Sequence, residues 1–306
     1  MKIAVLYGGW SPEREISIKS GKNISRILLK LGYEVFEIDV KKDLKYITNE
    51  LYKVNPDFIF NTLHGIGGED GVIQGVLDIF GKPYSNSGVL SSAISFDKSI
   101  CKSIVKHKGV RVIDGLEIKS SDIPVINTNT SLKFDYPFVI KPASNGSSVG
   151  VFIIQNEEDL TKLKNQSWSF GPKVLIEKYI KGREFTILVL NGKAIGAVEI
   201  TYKNQFYDFE SKYDIGGSTH IANYKLDEDV KSEMFRMSEQ AFSACECKGI
   251  ARIDFRYDGD KVYFLEINTQ PGMTDLSLVP DIAKFNNISI EKLLEETIKS
   301  SISTNL

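Results

Sequence analysis

Ile250-Ala251-Arg252-Ile253-Asp254-Phe255-Arg256-Tyr257, the turn Asp258-Gly259-Asp260 and Val262-Tyr263-Phe264-Leu265-Glu266-Ile267-Asn268 together decide how this chain is read. Two apolar runs around a turn signal predict a β-hairpin. Side chains alternate faces along a strand, so Arg252 and Asp254 share one face, as do Glu266 and Asn268. Asp, Glu and Asn oxygens converging from paired strands make a hard, anionic site suited to Mg²⁺ carrying phosphate oxygens. The same residues also fit the wet side of an ordinary amphipathic hairpin, and the hairpin alone leaves both readings open.

Working outward to the N-terminal third, strands and helices alternate. A buried strand is expected over 3–6, a helix over 16–31 stopped by Gly32, a strand over 34–40, a helix over 44–54 and a strand over 58–62. This rhythm implies a parallel sheet with ligands at the C-terminal strand ends. The loops Gly8 to Glu15 and His64 to Gly71 fall there. Gly8-Gly9-Trp10-Ser11 is not a GxGxxG fingerprint, which argues against a nicotinamide-binding domain.

After Asp97-Lys98 the texture changes. A helix over 99–108 leads to a polar stretch, 120–136, and then a strand over 137–141. The loop Pro142 to Gly150 (Pro-Ala-Ser-Asn-Gly-Ser-Ser-Val-Gly) follows, then a strand over 151–154 and a short helix over 157–163. Strands are expected over 173–180, 184–190 and 194–200, the last two joined at Asn191-Gly192, a type I′ turn signal. The stretch 202–224 is polar, aromatic and aperiodic, long enough to be expected as a lid. A helix over 229–247 precedes the hairpin, and another over 290–302 closes the chain. There is no internal repeat.

The composition bounds what such a chain can do. Its 306 residues suggest about two domains with room for a small third. A 42% apolar and 25% charged composition is that of an ordinary soluble globular protein. A formal net charge of -2 without a basic block argues against nucleic acid as a partner. Cys101, Cys245 and Cys247 are too few and wrongly spaced for a disulfide framework or closed zinc site, and read as reduced packing residues. The apolar start is too short for a signal peptide core, and no run is long enough to cross a bilayer, so the expected location is the cytoplasm.

The Ser144 to Gly150 loop is small and rich in hydroxyl and N–H donors, as a loop folded over polyphosphate would be, though it lacks Walker A spacing. A surface hairpin tip is the plainer alternative. Lys141 just before it and Lys98 at the junction could reach the same phosphates. The backbone of Glu177-Lys178-Tyr179-Ile180 could pair with an adenine edge, and Glu184 could take ribose hydroxyls. Ordinary solvated charges at a strand end are the competing reading.

In order along the chain stand Gly8-Gly9, Glu13-Arg14-Glu15-Ile16-Ser17, Leu63-His64-Gly65, Gly67-Gly68-Glu69-Asp70-Gly71, Gln74-Gly75, Pro83-Tyr84, Ser87-Gly88 and Asp97-Lys98. After them come Val139-Ile140-Lys141-Pro142, Gly146-Ser147-Ser148-Val149-Gly150, Ile176-Glu177-Lys178, Phe206-Tyr207-Asp208 and Lys212-Tyr213. Arg252-Ile253-Asp254, Glu266-Ile267-Asn268-Thr269, Pro271-Gly272-Met273-Thr274 and Ser277-Leu278-Val279-Pro280 complete the series. In this joint order the whole chain resembles the ATP-grasp superfamily, and within it the D-alanine–D-alanine ligases.

The resemblance implies an α/β fold of three parts: a Rossmann-like parallel-sheet domain at 1–97, and α+β ATP-grasp subdomains at 98–182 and 183–306, the last bearing the lid loop 202–224. It implies ATP as co-substrate, two Mg²⁺ (or Mn²⁺) ions, a homodimer, and the joining of two D-alanines through a D-alanyl phosphate for peptidoglycan synthesis. Asp254, Glu266 and Asn268 would hold metal. Lys98, Lys141, Ser147, Ser148, Glu177, Lys178, Tyr179, Ile180, Glu184 and Lys212 would bind ATP. Arg252 and the Gly272 N–H would receive the oxyanion. Glu13 would pair with the first ammonium, and Ser277 with Leu278 at a helix start would take the second carboxylate. Glu13, Ser147 and Tyr213 resemble the family's lid-closing triad. His64 would orient the first carboxylate or assist proton removal, a satisfied structural histidine being the alternative.

Gln270 departs from the serine common in the family, and Phe209 from a tyrosine; neither is an expected metal ligand. Replacement of Tyr213 by Phe would resemble the D-lactate-accepting relatives, so with Tyr present the resemblance implies an amine nucleophile. The remaining rivals are an ATP-grasp ligase with another amine or thiol acceptor, and a silent nucleotide binder on the same fold.

Overall fold

β1 (Lys2–Gly8) is buried on both faces: Ile3 and Val5 enter one core while Ala4 and Leu6 enter another. It pairs in parallel with β2 (Glu34–Val40) and β3 (Phe58–Asn61) in the order β2-β1-β3, so the crossovers between them are α1 (Arg14–Lys30) and α2 (Leu44–Val54). The computed structural model describes residues 1–126, 132, 134–202 and 218–303.

Two short helices follow, α3 (Val72–Phe80) and α4 (Val89–Phe96), the second without a clear apolar period. In α4 the inward face is built of Ser91, Ser92 and Ser95, so hydropathy does not mark it. Burial is tolerated because the hydroxyls are satisfied, Ser91 donating to the Glu246 carbonyl at 2.6 Å. α5 (Lys98–His107) starts at Asp97, whose carboxylate caps the Ser99 and Ile100 N–H groups.

The second sheet is antiparallel, β4-β7-β5-β6, formed by β4 (Gly115–Lys119), β5 (Phe138–Pro142), β6 (Phe152–Ile154) and β7 (Lys173–Lys178). α6 (Glu157–Lys164) and a 3₁₀ turn at Ser120–Val125 pack with it around Phe138, Ile140 and Leu160. β7 stops at Lys178, two residues short of the expected 180.

The third sheet, β10-β9-β8-β11-β12, contains β8 (Arg183–Leu190), β9 (Lys193–Tyr202), β10 (Ser218–Ile221), β11 (Ile250–Tyr257) and β12 (Val262–Asn268). β10 corrects the expectation of an aperiodic stretch over 202–224: Ser218 to Ile221 pairs antiparallel with Glu199 to Tyr202. α7 (Glu228–Ala244) ends three residues before the expected 247, because Glu246 turns left-handed (φ 52°) and the Cys247 N–H folds back to the Phe242 carbonyl. α8 (Leu278–Phe285) and α9 (Ile290–Ser303) close the chain.

One core joins the first and last parts of the sequence. Ile3, Val5, Ile24, Leu28, Phe58 and Phe60 pack with Val198, Ile250, Val279, Ile282, Leu294 and Ile298. Asn86 reinforces the joint, its carboxamide donating to Gln270 at 3.0 Å and accepting from the Ile250 N–H at 3.2 Å. Gln270 in turn donates to the Asn61 carbonyl. The departure from serine at 270 thus supplies a side chain long enough to bridge β3 and the segment after β12. Cys101, Cys245 and Cys247 are all buried, and the apolar side chains of α5 join the core of β8, β11, β12 and α7, while its Lys102 reaches Glu177 of the second sheet.

Candidate active site

The hairpin that opened the sequence reading forms with Arg252 opposite Asn268 and Asp254 opposite Glu266. The register then slips, Phe255 facing Phe264, so Leu265 is the extra residue of a β-bulge. Without the slip, Phe264 and Glu266 would share a face; with it, Phe264 drops into the core while Glu266 keeps to the cleft. Four polar side chains thereby gather on one face.

Their charges are matched. Arg252 donates through Nε (2.9 Å) and Nη2 (2.8 Å) to the two Asp254 oxygens, and the Thr186 hydroxyl also donates to Asp254. Lys98 Nζ lies 3.2 Å from Glu266 and donates to the Asn145 carbonyl at 2.6 Å, tying the 144–150 loop to the hairpin. Asn268 Oδ1 accepts the Gln270 N–H at 2.9 Å. Among the described residues no group of three or more His, Cys, Asp or Glu stands ready for a metal. Two carboxylates and a carboxamide oxygen do fit a hard cation that takes its other ligands from phosphates and water, as Mg²⁺ does.

From this face the cleft runs two ways. One arm, a cavity of ≈ 350 Å³, is lined by Glu13, His64, Ser147, Gly272, Ser277 and Leu278 among others. Glu13 heads α1 and is buried, and it accepts from the Ser147 hydroxyl across the cleft. Glycine at 146 leaves room for that approach: a Cβ there would stand 2.8 Å from Glu13 Oε2, and the carboxylate would have to shift. Ser147 and Ser148 both hold left-handed backbone (φ 52° and 58°), costly for non-glycine residues and typical of a loop shaped for a ligand.

His64 is buried, with Nδ1 3.3 Å from Glu69 Oε1 and Nε2 3.4 Å from the Ser20 hydroxyl. Burial would pull its pKa down, but the hydrogen bond and charge of Glu69, with Glu13 nearby, outweigh it and the pKa is raised. A histidine biased toward its cation suits holding a carboxylate better than removing a proton. The Gly272 loop is pinned to α1, where Met273 N–H donates to Ser20 (3.2 Å) and Asn23 donates to the Met273 carbonyl (2.7 Å). Ser277 occupies the N-cap of α8, its hydroxyl engaged by Thr274 rather than by the helix.

The other arm, ≈ 140 Å³, lies between the second and third sheets and is lined by Lys141, Ser148, Lys178, Tyr179, Ile180 and Glu184 among others. Lys141 is 2.7 Å from Glu177 Oε2, and Lys102 pairs with the other oxygen. Burial would raise the pKa of Glu177, yet the two lysines hold it below the usual carboxylate value. Burial draws Lys102 down to about 8, with Glu177 opposing, which leaves it mostly cationic at neutral pH. Glu177 is thus a clamp that aims Lys141, rather than an open acceptor for a base. Glu184 accepts from Arg256 Nη1 and the Tyr202 hydroxyl, both at 3.1 Å.

Of the expected site residues, Lys212 and Tyr213 lie outside the described residues, as does Phe209. The others line the two arms or the face between them. Lys102 and Arg256 are residues the sequence reading passes over. Each had a signal: Lys102 follows Lys98 by one helical turn, and Arg256 continues the Arg252, Asp254 alternation.

Comparison with known proteins agrees with this arrangement. Residues 104–299 match the family model described as D-ala D-ala ligase C-terminus. The chain is similar to the D-alanine–D-alanine ligase of Rickettsia bellii (strain RML369-C), 42% identical over 302 residues, covering 98% of this chain and 91% of that one. That of Parvibaculum lavamentivorans is 40% identical over 306 residues, covering 98% and 97%. The crystal structure of the Bacillus anthracis D-alanine–D-alanine ligase complexed with ATP superposes with a TM-score of 0.86 at 31% identity, covering 100% of this chain and 98% of that one. With a hairpin site, a two-armed cleft and near full-length similarity in accord, the chain belongs to the D-alanine–D-alanine ligase family.

Proposed function

We propose that this chain carries out its family's reaction, the ATP-dependent joining of two D-alanines into D-alanyl-D-alanine for peptidoglycan synthesis. The observation that carries the reading is the Arg252, Asp254, Glu266, Asn268 face, set between an arm with a carboxylate and helix start and an arm with paired lysines.

A carboxylate resists nucleophiles, since its charge repels them and oxide cannot leave. Phosphoryl transfer from ATP to the first D-alanine gives an acyl phosphate and ADP, and phosphate can then leave. The amine of the second D-alanine attacks the carbonyl carbon, the tetrahedral species collapses, and dipeptide and phosphate result. Glu13 pairs with the first ammonium and His64 orients the carboxylate beside it. Lys98 and Lys141 spread the charge of the triphosphate. Arg252, its plane fixed by Asp254, and the Gly272 N–H stabilise the oxyanion. The N-terminus of α8 at Ser277 and Leu278 receives the second carboxylate. Asp254, Glu266 and Asn268 would hold Mg²⁺ or Mn²⁺, whose charge eases transfer when bound. Lys178, Tyr179 and Ile180 would frame the adenine, with Ser147 and Ser148 over the phosphates. Lys212 and Tyr213 belong to the same reading on their sequence positions alone.

The division into 1–97, 98–182 and 183–306 is part of this proposal, supported by one sheet arising within each part. A homodimer is too, supported by exposed Val72 and Ile79 on α3 and Val89 and Leu90 on α4. No helix among the described residues is long and apolar enough to cross a membrane, and we place the enzyme in the cytoplasm with its nucleotide.

The test is phosphate release with ATP, Mg²⁺ and D-alanine, with L-alanine, D-serine and D-lactate in parallel. Phosphate and dipeptide from D-alanine are expected. ATP binding without turnover of D-alanine would defeat the reading.

A further inference from the structure

Arg256 sits at the centre of the nucleotide arm without a part in the chemistry above. It is 9% exposed, on β11, on the same strand face as Arg252 and Asp254. Its fork is divided among three elements. Nε and Nη2 donate to the Ile180 carbonyl at 3.2 and 3.0 Å, holding the segment after β7. Nη1 donates to the Tyr202 hydroxyl on β9 at 2.7 Å and to Glu184 Oε2 on β8 at 3.1 Å. The Tyr202 hydroxyl itself donates to the same Glu184 oxygen, closing a three-membered ring of bonds.

We propose that Arg256 is a positioning residue for ATP: it holds Glu184 in the orientation that receives the ribose hydroxyls and the 179–180 backbone in the orientation that receives the base. Three physical points lead there. A carboxylate facing a polyanionic nucleotide repels it unless a cation neutralises it, and Arg256 stands in contact with this one. A guanidinium has a planar set of donors that can hold two acceptors at fixed angles, which an ammonium lacks. The Ile180 carbonyl, held by two N–H groups, fixes the 180–181 peptide and with it the course of the chain that carries Tyr179 and Ile180 past the cleft. Burial and the charge of Glu184 keep the Tyr202 hydroxyl protonated, so it remains a donor to Glu184 through the working pH range.

The inference rests on the proposed ATP-dependent reaction and on Glu184 facing the ribose, and the experiment separates the three. Steady-state phosphate release is measured with D-alanine and either ATP or 2′,3′-dideoxy-ATP, for the full chain and for Arg256→Met and Arg256→Lys. The full chain is expected to show a KM roughly tenfold lower for ATP, the loss of about one charged hydrogen bond. In Arg256→Met the KM for ATP rises to about that of the dideoxy nucleotide, while kcat at saturating ATP falls less than threefold and the KM for D-alanine does not follow. Arg256→Lys, which keeps charge and loses the fork, also loses the discrimination, and it decides the matter should the methionine variant fail to fold. A residue that merely stabilised the fold would lower activity with both nucleotides alike. Folded variants that keep the full ATP to dideoxy-ATP ratio overturn the proposal. No preference in the unaltered chain removes the ribose role of Glu184 and the proposal with it. No turnover of ATP and D-alanine by the unaltered chain defeats the functional reading before any variant is compared.

Discussion

At the end of the cleft proposed for the amino acids, Glu13, His64, Gly272 and Ser277 come from loops and helix starts; at the end proposed for the nucleotide, Lys141, Glu177, Glu184 and Arg256 stand on strands. The first end relies on backbone shape: the left-handed Ser147, a glycine under a carboxylate, and a loop pinned to α1. The second relies on buried ion pairs that brace one another, Lys102 and Lys141 on Glu177, Arg256 on Glu184. Loops can present backbone donors to a reacting centre, whereas strands supply rigid walls that hold a large substrate still. Between the two ends the strand-borne Arg252, Asp254, Glu266 and Asn268 meet the loops, so chemistry draws on both kinds of scaffold while grip rests chiefly on the strands.

The largest test of that contrast is Arg252→Ala, between the two ends. Loss of an oxyanion donor should lower kcat by about 10² to 10³, with the KM for ATP moving far less. An effect of equal size in ATP affinity would erase the division between chemistry and grip. Next is Glu177→Leu, which leaves the buried Lys102 and Lys141 without their shared carboxylate. It should cost about 3 kcal/mol in denaturant unfolding, and part of that should return in Lys102→Met/Glu177→Leu, which removes one of the two stranded charges. If the double variant is as weak as the single, the bracing account of the nucleotide end is wrong.

His64→Gln probes the loop-built end through pH. The folded-state pKa of His64 is raised, so its pairing with Glu69 contributes fully below the unfolded value near 6.5 and is lost as pH rises through the folded value. The variant should therefore trail by on the order of 1 kcal/mol at about pH 5.5, with the gap narrower at about pH 9, by urea unfolding. A gap that widens with pH would contradict the assigned pairing. The smallest effect is expected outside the cleft, at Asp39→Asn. Arg14 holds the Asp39 carboxyl below its usual value, so the contribution is present above about pH 4 and fades as pH falls through the folded value. Both side chains are more than a third exposed, and the loss should stay under about 1 kcal/mol.

The same contrast explains what the sequence made visible. Glu13, His64 and the Arg252 to Asn268 set lie in short, dense runs with glycine or alternation beside them, and local rules suffice to place them. The bulge at Leu265 was not legible, because nothing in Phe264-Leu265-Glu266 says which partner residue will be skipped. Nor was the role of Glu177: its partner Lys102 lies 75 positions away and looks like any charge on an amphipathic helix. α4 hid behind buried serines whose partners are also remote. β10 hid inside a polar segment because its four residues gain their order from β9 rather than from their own pattern.

The core shared by Ile3, Val5 and Phe60 with Val279, Leu294 and Ile298 has a consequence for how the protein is made. A ribosome delivers the parallel sheet first and the side chains that cover one of its faces last. With more than two hundred residues between them, at about 5 to 20 residues per second, the delay is on the order of ten seconds or more. For that interval Ile24, Leu28, Phe58 and Phe60 have only one another and β1 as neighbours on that side. The newborn N-terminal part should accordingly hold a chaperone until the last helices emerge, and release it when α9 docks.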